Sequence, residues 1–283
     1  MKKLLALAMA LTLCLGLAAC GGTPAEDPAD ENTPQTETSG ETVTLRVGAT
    51  PAPHQEILEQ VVDTLAAQGI TLEIVPYTDY LTPNVAVEEG EDDANFFQHI
   101  TYMETYNAEN NTHLVNAGSI HYEPMGIYAG KTTSLEEIPD GAVIAVPNDA
   151  TNEGRALLLL QDLGLIELKE DAGLEATPND ITSNPKNLEF KELEAANLPN
   201  VLQDVAIAVI NGNYALAADF TMDDALAVEA NDSLAAETYT NVIVVKDGNQ
   251  DSEKIKALAE ACNSDEVRDY IADNYQGSVV AVF

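Results

Sequence analysis

Residues 142–163 read AVIAVPNDATNEGRALLLLQDL, and this stretch decides the class of fold. The apolar run 142–146 predicts a buried strand, and residues 152–163 carry apolar side chains at helical spacing. The polar loop between them leads into the helix, where free backbone N–H groups form a site for an anion. Arg155 lies in the predicted first turn, where a cation opposes the helix dipole. This favours a role in holding a carboxylate by two parallel hydrogen bonds; the alternative is pairing with one of the chain's 48 acidic residues.

The rest of the sequence repeats this alternation of strand and helix, which predicts an α/β body with a largely parallel sheet. Strand spacing recurs in eight segments, at 43–47, 70–74, 94–97, 113–118, 142–146, 188–193, 205–210 and 240–245. Helical spacing lies between them, at 54–68, 99–109, 152–163, 198–204, 214–218 and 252–262, with a continuation to 274. Because open α/β sheets bind ligands beyond the carboxyl ends of their strands, the loops that leave the strands are the candidate site.

Several of these loops carry side chains suited to a small ligand. Tyr80 and Phe97 are aromatic, with His99 nearby, and they predict a wall for an apolar or thioether side chain. Asn211 and Tyr214 follow another strand and offer oxygen atoms and donors to an amino group. The alternatives are structural, because aromatic residues near strand ends often belong to the core and an Asn after a strand often forms a turn or a helix cap.

The N-terminus indicates export. Two lysines precede an apolar run over 4–17, which is shorter than the roughly 20 residues that span a bilayer. The run ends in Leu-Ala-Ala-Cys, which predicts a signal peptide over 1–19 and an acylated, palmitate-bearing Cys20, with an ordinary secretory peptide as the alternative. Residues 20–42 contain three prolines, six acidic residues and no basic residue, so they predict a disordered acidic tether.

Composition narrows the function of the body. The formal charge of −36 opposes binding to nucleic acid or to anionic lipid. Cys262 is the one cysteine of the body, and its helical apolar surroundings predict a buried small hydrophobe. The sequence has no G-x-S-x-G, P-loop or H-E-x-x-H motif, and its four histidines lack the spacing of a zinc site. These observations predict a binding protein that has no enzymatic activity, no cofactor and no metal, although a site assembled from distant loops stays open.

Six motifs occur in order between residue 43 and the C-terminus: DYLTPN at 79–84, DANFFQH at 93–99, VPNDATNEGRALLLLQ at 146–161, NPKNL at 184–188, ELEA at 192–195 and AVIN at 208–211. Together they resemble the methionine-binding lipoproteins of ABC importers, the NlpA/MetQ family. The resemblance implies a two-lobed, periplasmic-binding-protein-like clamshell fold with the ligand in the cleft between the lobes. It places one lobe at 43–128 with 239–283 and the other at 129–238, joined near 126–130 and 235–239.

The same resemblance implies roles for seven residues. Arg155 is expected to hold the carboxylate of the ligand and Asn211 its amino group, with Asn152 assisting at the start of the helix. The pocket for the side chain is expected to be lined by Tyr80, Phe97, His99 and Tyr122.

The function that the resemblance implies is transport. It implies a monomeric protein, lipid-anchored on the extracytoplasmic face of the cell membrane, that delivers methionine to the permease of an ABC importer. Glu123 falls in a segment, 121–126, that varies among family members, so the ligand stays open. D-methionine, another apolar amino acid, a methionyl peptide and a metal ion are the alternatives. An anchored enzyme and a surface adhesin are alternatives from other functional classes.

Overall fold

Two large mixed β-sheets with helices packed against them form the body of the protein. The computed structural model describes residues 42–230 and 237–283. The predicted signal peptide 1–19, the acylated Cys20 and the tether up to residue 41 therefore lie outside the described residues. Within the described ranges, no helix is both long enough and apolar enough to cross a membrane.

The elements follow one another along the chain with short connections. The strands are β1 (Val43–Ala49), β2 (Ile70–Pro76), β3 (Ala94–His99), β4 (Leu114–Tyr122), β5 (Gly126–Ala129), β6 (Val143–Pro147), β7 (Glu167–Leu168), β8 (Ile181–Ser183), β9 (Glu189–Leu193), β10 (Ile207–Ile210), β11 (Ala225–Val228), β12 (Thr240–Lys246) and β13 (Val280–Ala281). The α-helices are α1 (Glu56–Gln60), α2 (Val62–Ala66), α3 (Thr82–Glu89), α4 (Ile100–Asn110), α5 (Ala150–Asp162), α6 (Gly212–Ala217), α7 (Glu253–Cys262) and α8 (Asp265–Tyr275).

The first large sheet has the strand order β13-β4-β12-β3-β1-β2, and the second has the order β11-β5-β10-β6-β9. The first sheet takes its strands from both ends of the body, whereas the second takes all of its strands from the middle. The chain passes from the first sheet to the second between Tyr122 and Gly126, so β5 belongs to the second sheet. The predicted first lobe, which ends at residue 128, includes most of this strand; the lobe boundaries stay a prediction.

The prediction of largely parallel sheets is wrong. In the first sheet β1 runs parallel to β2 and β3, but β12 runs antiparallel to both β3 and β4. In the second sheet β6 runs parallel to β9 and β10, whereas β5 runs antiparallel to β10 and β11. Three of the antiparallel pairs in the large sheets involve β5, β11 or β13, which have only four, four and two residues and thus give little periodic signal. The other two pairs involve β12, a longer strand whose direction in the sheet cannot be inferred from its periodicity.

Three predicted helices differ from the structure. The predicted helix 54–68 is divided at Val61, whose backbone leaves helical geometry at φ −104° and ψ 1°. The segment predicted as a helix at 198–204 is a 3₁₀ segment, Ala195–Val201, that contains Pro199, a residue with no N–H to donate. The continuation to 274 is a separate helix, because the side chain of Ser264 accepts a hydrogen bond from Val267 N and caps α8.

Both faces of the central strands β3, β10 and β12 are buried, which explains the continuous apolar strands of the sequence. Along β12, Ile243 and Val245 pack into one core cluster, and Val242 and Val244 pack into a second cluster on the opposite face. Cys262 is fully buried in the first of these clusters, and burial raises the pKa of its thiol to about 12. The prediction that Cys262 is a buried small hydrophobe is confirmed.

A buried network of amide side chains joins α3 to β3. Asn84 and Gln98 exchange two hydrogen bonds, at 3.0 and 2.6 Å, and Asn95 donates to Asn84 Oδ1 at 2.9 Å. Asn95 also donates to the carbonyl oxygen of Pro83 at 3.1 Å. Because every bond lies inside the protein, the network fixes the strand that carries Phe97 and His99.

Candidate ligand-binding site

A small cavity lies where the loops after β3, β6 and β10 meet. Six of the seven predicted residues line it, namely Tyr80, Phe97, His99, Asn152, Arg155 and Asn211. Its remaining walls are formed by Gln98, Tyr102, Glu123, Gly212, Asn213 and Asn241. The residues come from two layers, each of which consists of one large sheet with its loops and helices. A ligand in this cavity therefore contacts both layers.

Arg155 is the cation of the site. The helix α5 begins at Ala150, with Asp149 as its cap, so Arg155 lies in the second turn rather than the first and the predicted conflict with the dipole is weaker. Its Nε and Nη2 donate to Glu229 at 3.0 and 2.5 Å, and Nη2 also donates to the carbonyl oxygen of Glu123 at 2.8 Å. Among the described residues Nη1 has no hydrogen-bond partner, and this nitrogen is what the guanidinium can offer to a ligand.

The electrostatics keep Arg155 charged although only 4% of it is exposed. Burial is the largest single effect and opposes the charge, but the charge of Glu229, the hydrogen bond to it and the nearby Tyr122 and Tyr239 together raise the pKa of Arg155. The Tyr239 ring adds a cation–π contact, with its centroid 4.0 Å from the guanidinium carbon.

A chain of hydrogen bonds from Asp149 orients three side chains of the cavity wall. Asp149 accepts from Asn152 Nδ2 at 2.8 Å, which turns Asn152 Oδ1 toward the cavity side. That oxygen then accepts from Asn211 Nδ2 at 2.7 Å and lies 3.2 Å from His99 Nε2. Because Asn152 Oδ1 is an acceptor, His99 carries its proton on Nε2, and Asn211 is left with a buried oxygen that has no hydrogen-bond partner among the residues that the structure describes. Asn152 therefore positions its neighbours, and Asn211 presents an acceptor.

An aromatic cluster centred on Tyr80 contributes to the cavity wall. The centroid of the Tyr80 ring lies 5.7 Å from that of Phe97, 5.7 Å from that of Tyr102 and 4.9 Å from that of Tyr214. The hydroxyl group of Tyr80 donates to Asn213 Oδ1 at 2.5 Å, which connects the two layers. Such a wall is apolar and polarisable, and it suits an aliphatic or thioether side chain.

Tyr122, which the resemblance placed in the pocket, is fully buried and does not line the cavity. Its hydroxyl group donates to Glu229 Oε2 at 2.5 Å. Because Glu229 in turn pairs with Arg155, Tyr122 supports the guanidinium from behind. Tyr214 also lies outside the cavity lining and donates from its hydroxyl to the carbonyl oxygen of Thr78 at 3.2 Å.

Glu123 lies beside two buried histidines in the arrangement nearest to a metal site among the described residues. His54 Nε2, His121 Nε2 and a Glu123 oxygen lie within 4.8 Å of one another. However, His121 Nε2 is only 2.7 Å from Glu123 Oε1, whereas two ligands of one zinc ion lie about 3.3 Å apart. Burial lowers the pKa of His54 to about 4 and that of His121 to about 3, so both rings are neutral N–H donors. The distances are those of a hydrogen-bonded cluster.

The sequence contained weak signals for most of the lining residues that were not predicted. Gln98, Gly212 and Asn213 are neighbours of predicted residues, and Tyr102 follows His99 by nearly one helical turn. Asn241 is a polar residue at the start of an apolar strand, which is unusual at a buried position. Glu123 was noted only as part of the variable segment 121–126, because acidic residues are frequent throughout this chain and an acidic residue alone predicts no role.

His99 provides a test of the electrostatics of the site. Burial, with the charge of Arg155, lowers its pKa to about 3, so below about pH 6.5 only the unfolded chain gains a proton there. Stability due to neutral His99 is therefore lost as the pH falls from 6.5 toward 3. We expect the unfolding free energy of His99→Asn to rise relative to that of the unaltered chain as the pH falls from 6 to 4. The difference between the two proteins should grow by about 1 kcal/mol for each pH unit. Denaturant unfolding of the ligand-free protein measures this.

Asparagine suits this test because it also caps helices, as His99 Nδ1 does for Tyr102 N at 3.0 Å. The matched control is His113→Asn at an exposed position, which should keep the pH dependence of the unaltered chain. Equal slopes for His99→Asn and the unaltered chain would show that His99 is not held neutral.

Comparison with known proteins gives a consistent picture. Residues 45–283 match the NlpA lipoprotein family. The methionine-binding lipoprotein MetQ of Bacillus subtilis (strain 168) is 38% identical over 289 residues, which covers 100% of this chain and 99% of the relative. The structure of a nutrient binding protein from Burkholderia cenocepacia bound to methionine is 42% identical, with a TM-score of 0.79, and covers 84% of this chain and 100% of that chain. An ABC transporter periplasmic substrate-binding protein from Coxiella burnetii is 37% identical, with a TM-score of 0.79 and the same coverage.

The mixed α/β architecture of two sheets is that of the periplasmic substrate-binding proteins, as expected from the sequence. Within that class, this chain belongs to the NlpA lipoprotein family.

Proposed function

We propose that this protein binds methionine in the cavity and delivers it to the permease of an ABC importer. The single observation that carries the proposal is the composition of the cavity wall. It offers a cationic donor at Arg155 Nη1, a free acceptor at Asn211 Oδ1 and an aromatic surface around Tyr80 and Phe97. These three features match the carboxylate, the amino group and the side chain of an apolar amino acid. The methionine bound in the Burkholderia cenocepacia relative supports the choice among such amino acids.

The proposed mechanism is binding without chemical change. A ligand that contacts both layers favours the conformation in which the layers meet, because it gains contacts only there. The hydrogen bonds from Tyr80 to Asn213 and between His99 and Asn152 join the layers at the cavity. We further propose that the chain acts as a monomer, anchored on the extracytoplasmic face of the cell membrane by lipid on Cys20. The lipoprotein names of its relatives support the anchor.

Calorimetric titration tests the function. The chain over 21–283 is unfolded, freed of co-purified ligand, refolded, and titrated with L-methionine, D-methionine, L-leucine and zinc. We expect one-to-one binding of L-methionine with at least tenfold preference over L-leucine, because the aromatic wall favours a thioether. A folded chain that releases no heat with either methionine isomer, or that binds zinc alone, would overturn the proposal.

A further inference from the structure

Glu123 presents a carboxylate to the cavity from a buried position. Among the described lining residues it is the one acidic side chain, and only 5% of it is exposed. A buried carboxylate costs free energy unless its environment compensates for it. The groups around Glu123 therefore indicate its role.

Hydrogen-bond donors surround this carboxylate on the protein side. His121 Nε2 lies 2.7 Å and His54 Nε2 lies 3.4 Å from Glu123 Oε1, and the backbone N–H of Asn213 also bonds to the side chain. His54 Nε2 lies 3.0 Å from Asn241 Oδ1 as well, and its Nδ1 lies 2.7 Å from the hydroxyl oxygen of Thr50. Since Nε2 of His54 faces two acceptors, it carries the proton and donates. The cluster thus holds a carboxylate oxygen in a fixed place with donors.

The charge of Arg155 favours the carboxylate form of Glu123, but the guanidinium is hydrogen-bonded to the carboxylate of Glu229 and not to that of Glu123. Arg155 is compensated by Glu229, which does not line the cavity. The histidines are neutral, so they supply hydrogen bonds and no charge. Burial raises the pKa of Glu123, and an ammonium group against it would reverse that shift and favour the carboxylate. A positively charged group of the ligand would therefore be stabilised at this part of the cavity wall.

A second, independent observation points the same way. Asn211 lines the same cavity, and its Oδ1 is buried and accepts no hydrogen bond from residues 42–230 or 237–283. Its orientation is fixed by the bond from its own Nδ2 to Asn152. A carboxylate and an amide oxygen that share one cavity are two acceptors, and an ammonium group with three N–H donors satisfies both.

We propose that Glu123 is the counter-charge for the α-ammonium group of the ligand and that it makes this group a requirement for binding. The inference rests on the proposed function and deepens it, since it names the chemical group by which the site selects amino acids over the corresponding hydroxy acids. His54 and His121 position Glu123 and do not contact the ligand.

The test compares two ligands that differ only at the α-position, L-methionine and the L-enantiomer of 2-hydroxy-4-(methylthio)butanoate. We expect the unaltered chain to bind methionine at least 100-fold more tightly than the hydroxy acid. In Glu123→Gln the affinity for methionine should fall about 10- to 100-fold, because a charge-assisted hydrogen bond is lost, while that for the hydroxy acid changes less than threefold. The ratio of the methionine affinity to the hydroxy-acid affinity should therefore fall. A merely structural role of Glu123 would lower both affinities and leave this ratio unchanged.

Two further variants make the result decisive. Glu153→Gln changes another buried glutamate, outside the cavity lining, and should leave both affinities unchanged. If Glu123→Gln does not fold, Glu123→Asp keeps the charge but withdraws it from the ligand, and methionine should again lose more affinity than the hydroxy acid. Equal losses for the two ligands, or an unchanged ratio, would overturn the inference while leaving the proposed function intact. Failure of the unaltered chain to bind either ligand would overturn the proposed function itself and this inference with it.

Discussion

Replacing Arg155 with methionine is expected to abolish measurable methionine binding and to cost about 3–5 kcal/mol of unfolding free energy. The loss of binding follows because Nη1 is the cationic donor that the cavity offers to a carboxylate. The loss of stability follows because Glu229, which is only 13% exposed, would keep a buried charge without its partner. Titration calorimetry and denaturant unfolding measure the two losses separately.

The double variant Arg155→Met, Glu229→Gln separates the two roles of the arginine. Removing both charges takes away the unpaired carboxylate, so we expect most of the lost stability to return. Binding should not return, because the donor to the ligand is still absent. If the double variant bound methionine as the unaltered chain does, Arg155 would have a structural role only.

Gly154→Ala is expected to destabilise the protein by about 3 kcal/mol, although alanine normally stabilises a helix relative to glycine by about 1 kcal/mol. A Cβ atom at this position would lie 2.1 Å from the carbonyl oxygen of Leu174 and 2.9 Å from Ala176 N. Both neighbours are backbone atoms, which cannot rotate away as a side chain can. Moving α5 to relieve the clash would also displace Asn152 and Arg155, so we expect methionine affinity to fall at least tenfold.

Gly164→Ala is the control for this change. Gly164 has a positive φ of 71° and open space around it, so alanine should cost only about 1 kcal/mol from backbone strain and leave binding unchanged. Thermal unfolding and calorimetry of both variants give the comparison. A Gly154→Ala protein as stable as the unaltered chain would mean that the contact with Leu174 is not tight.

Much of the fold could be predicted from periodicity because its buried strands carry a strong signal. The sequence of β12 is apolar on both faces, and both faces prove to be buried. The missed elements had no comparable signal: β13 has two residues, and α3 begins with Thr82-Pro83, where a loop was equally consistent with the pattern. The direction of strand pairing also escaped prediction, because β12 joins the first sheet after the chain has passed through the second.

Residues of the candidate site were predictable where their residue type is rare in this chain, and were not predictable where it is common. Arg155 was identifiable because the chain has only 12 basic residues, whereas Glu123 is one of 48 acidic residues. Local sequence also could not assign roles within a set of residues. The hydrogen-bond chain from Asp149 shows that Asn152 orients His99 and Asn211, and Tyr122 contacts Glu229 rather than the cavity. Such roles depend on which atom of an amide or hydroxyl group is already occupied.

The most direct test of the proposed function is a crystal structure of the chain over 21–283 grown with saturating L-methionine. We predict one methionine in the cavity, with its carboxylate about 3 Å from Arg155 Nη1 and its ammonium group about 3 Å from Asn211 Oδ1. Its thioether should lie against Tyr80 and Phe97. A cavity that stays free of methionine at saturation, or that holds methionine with its carboxylate away from Arg155, would contradict the account.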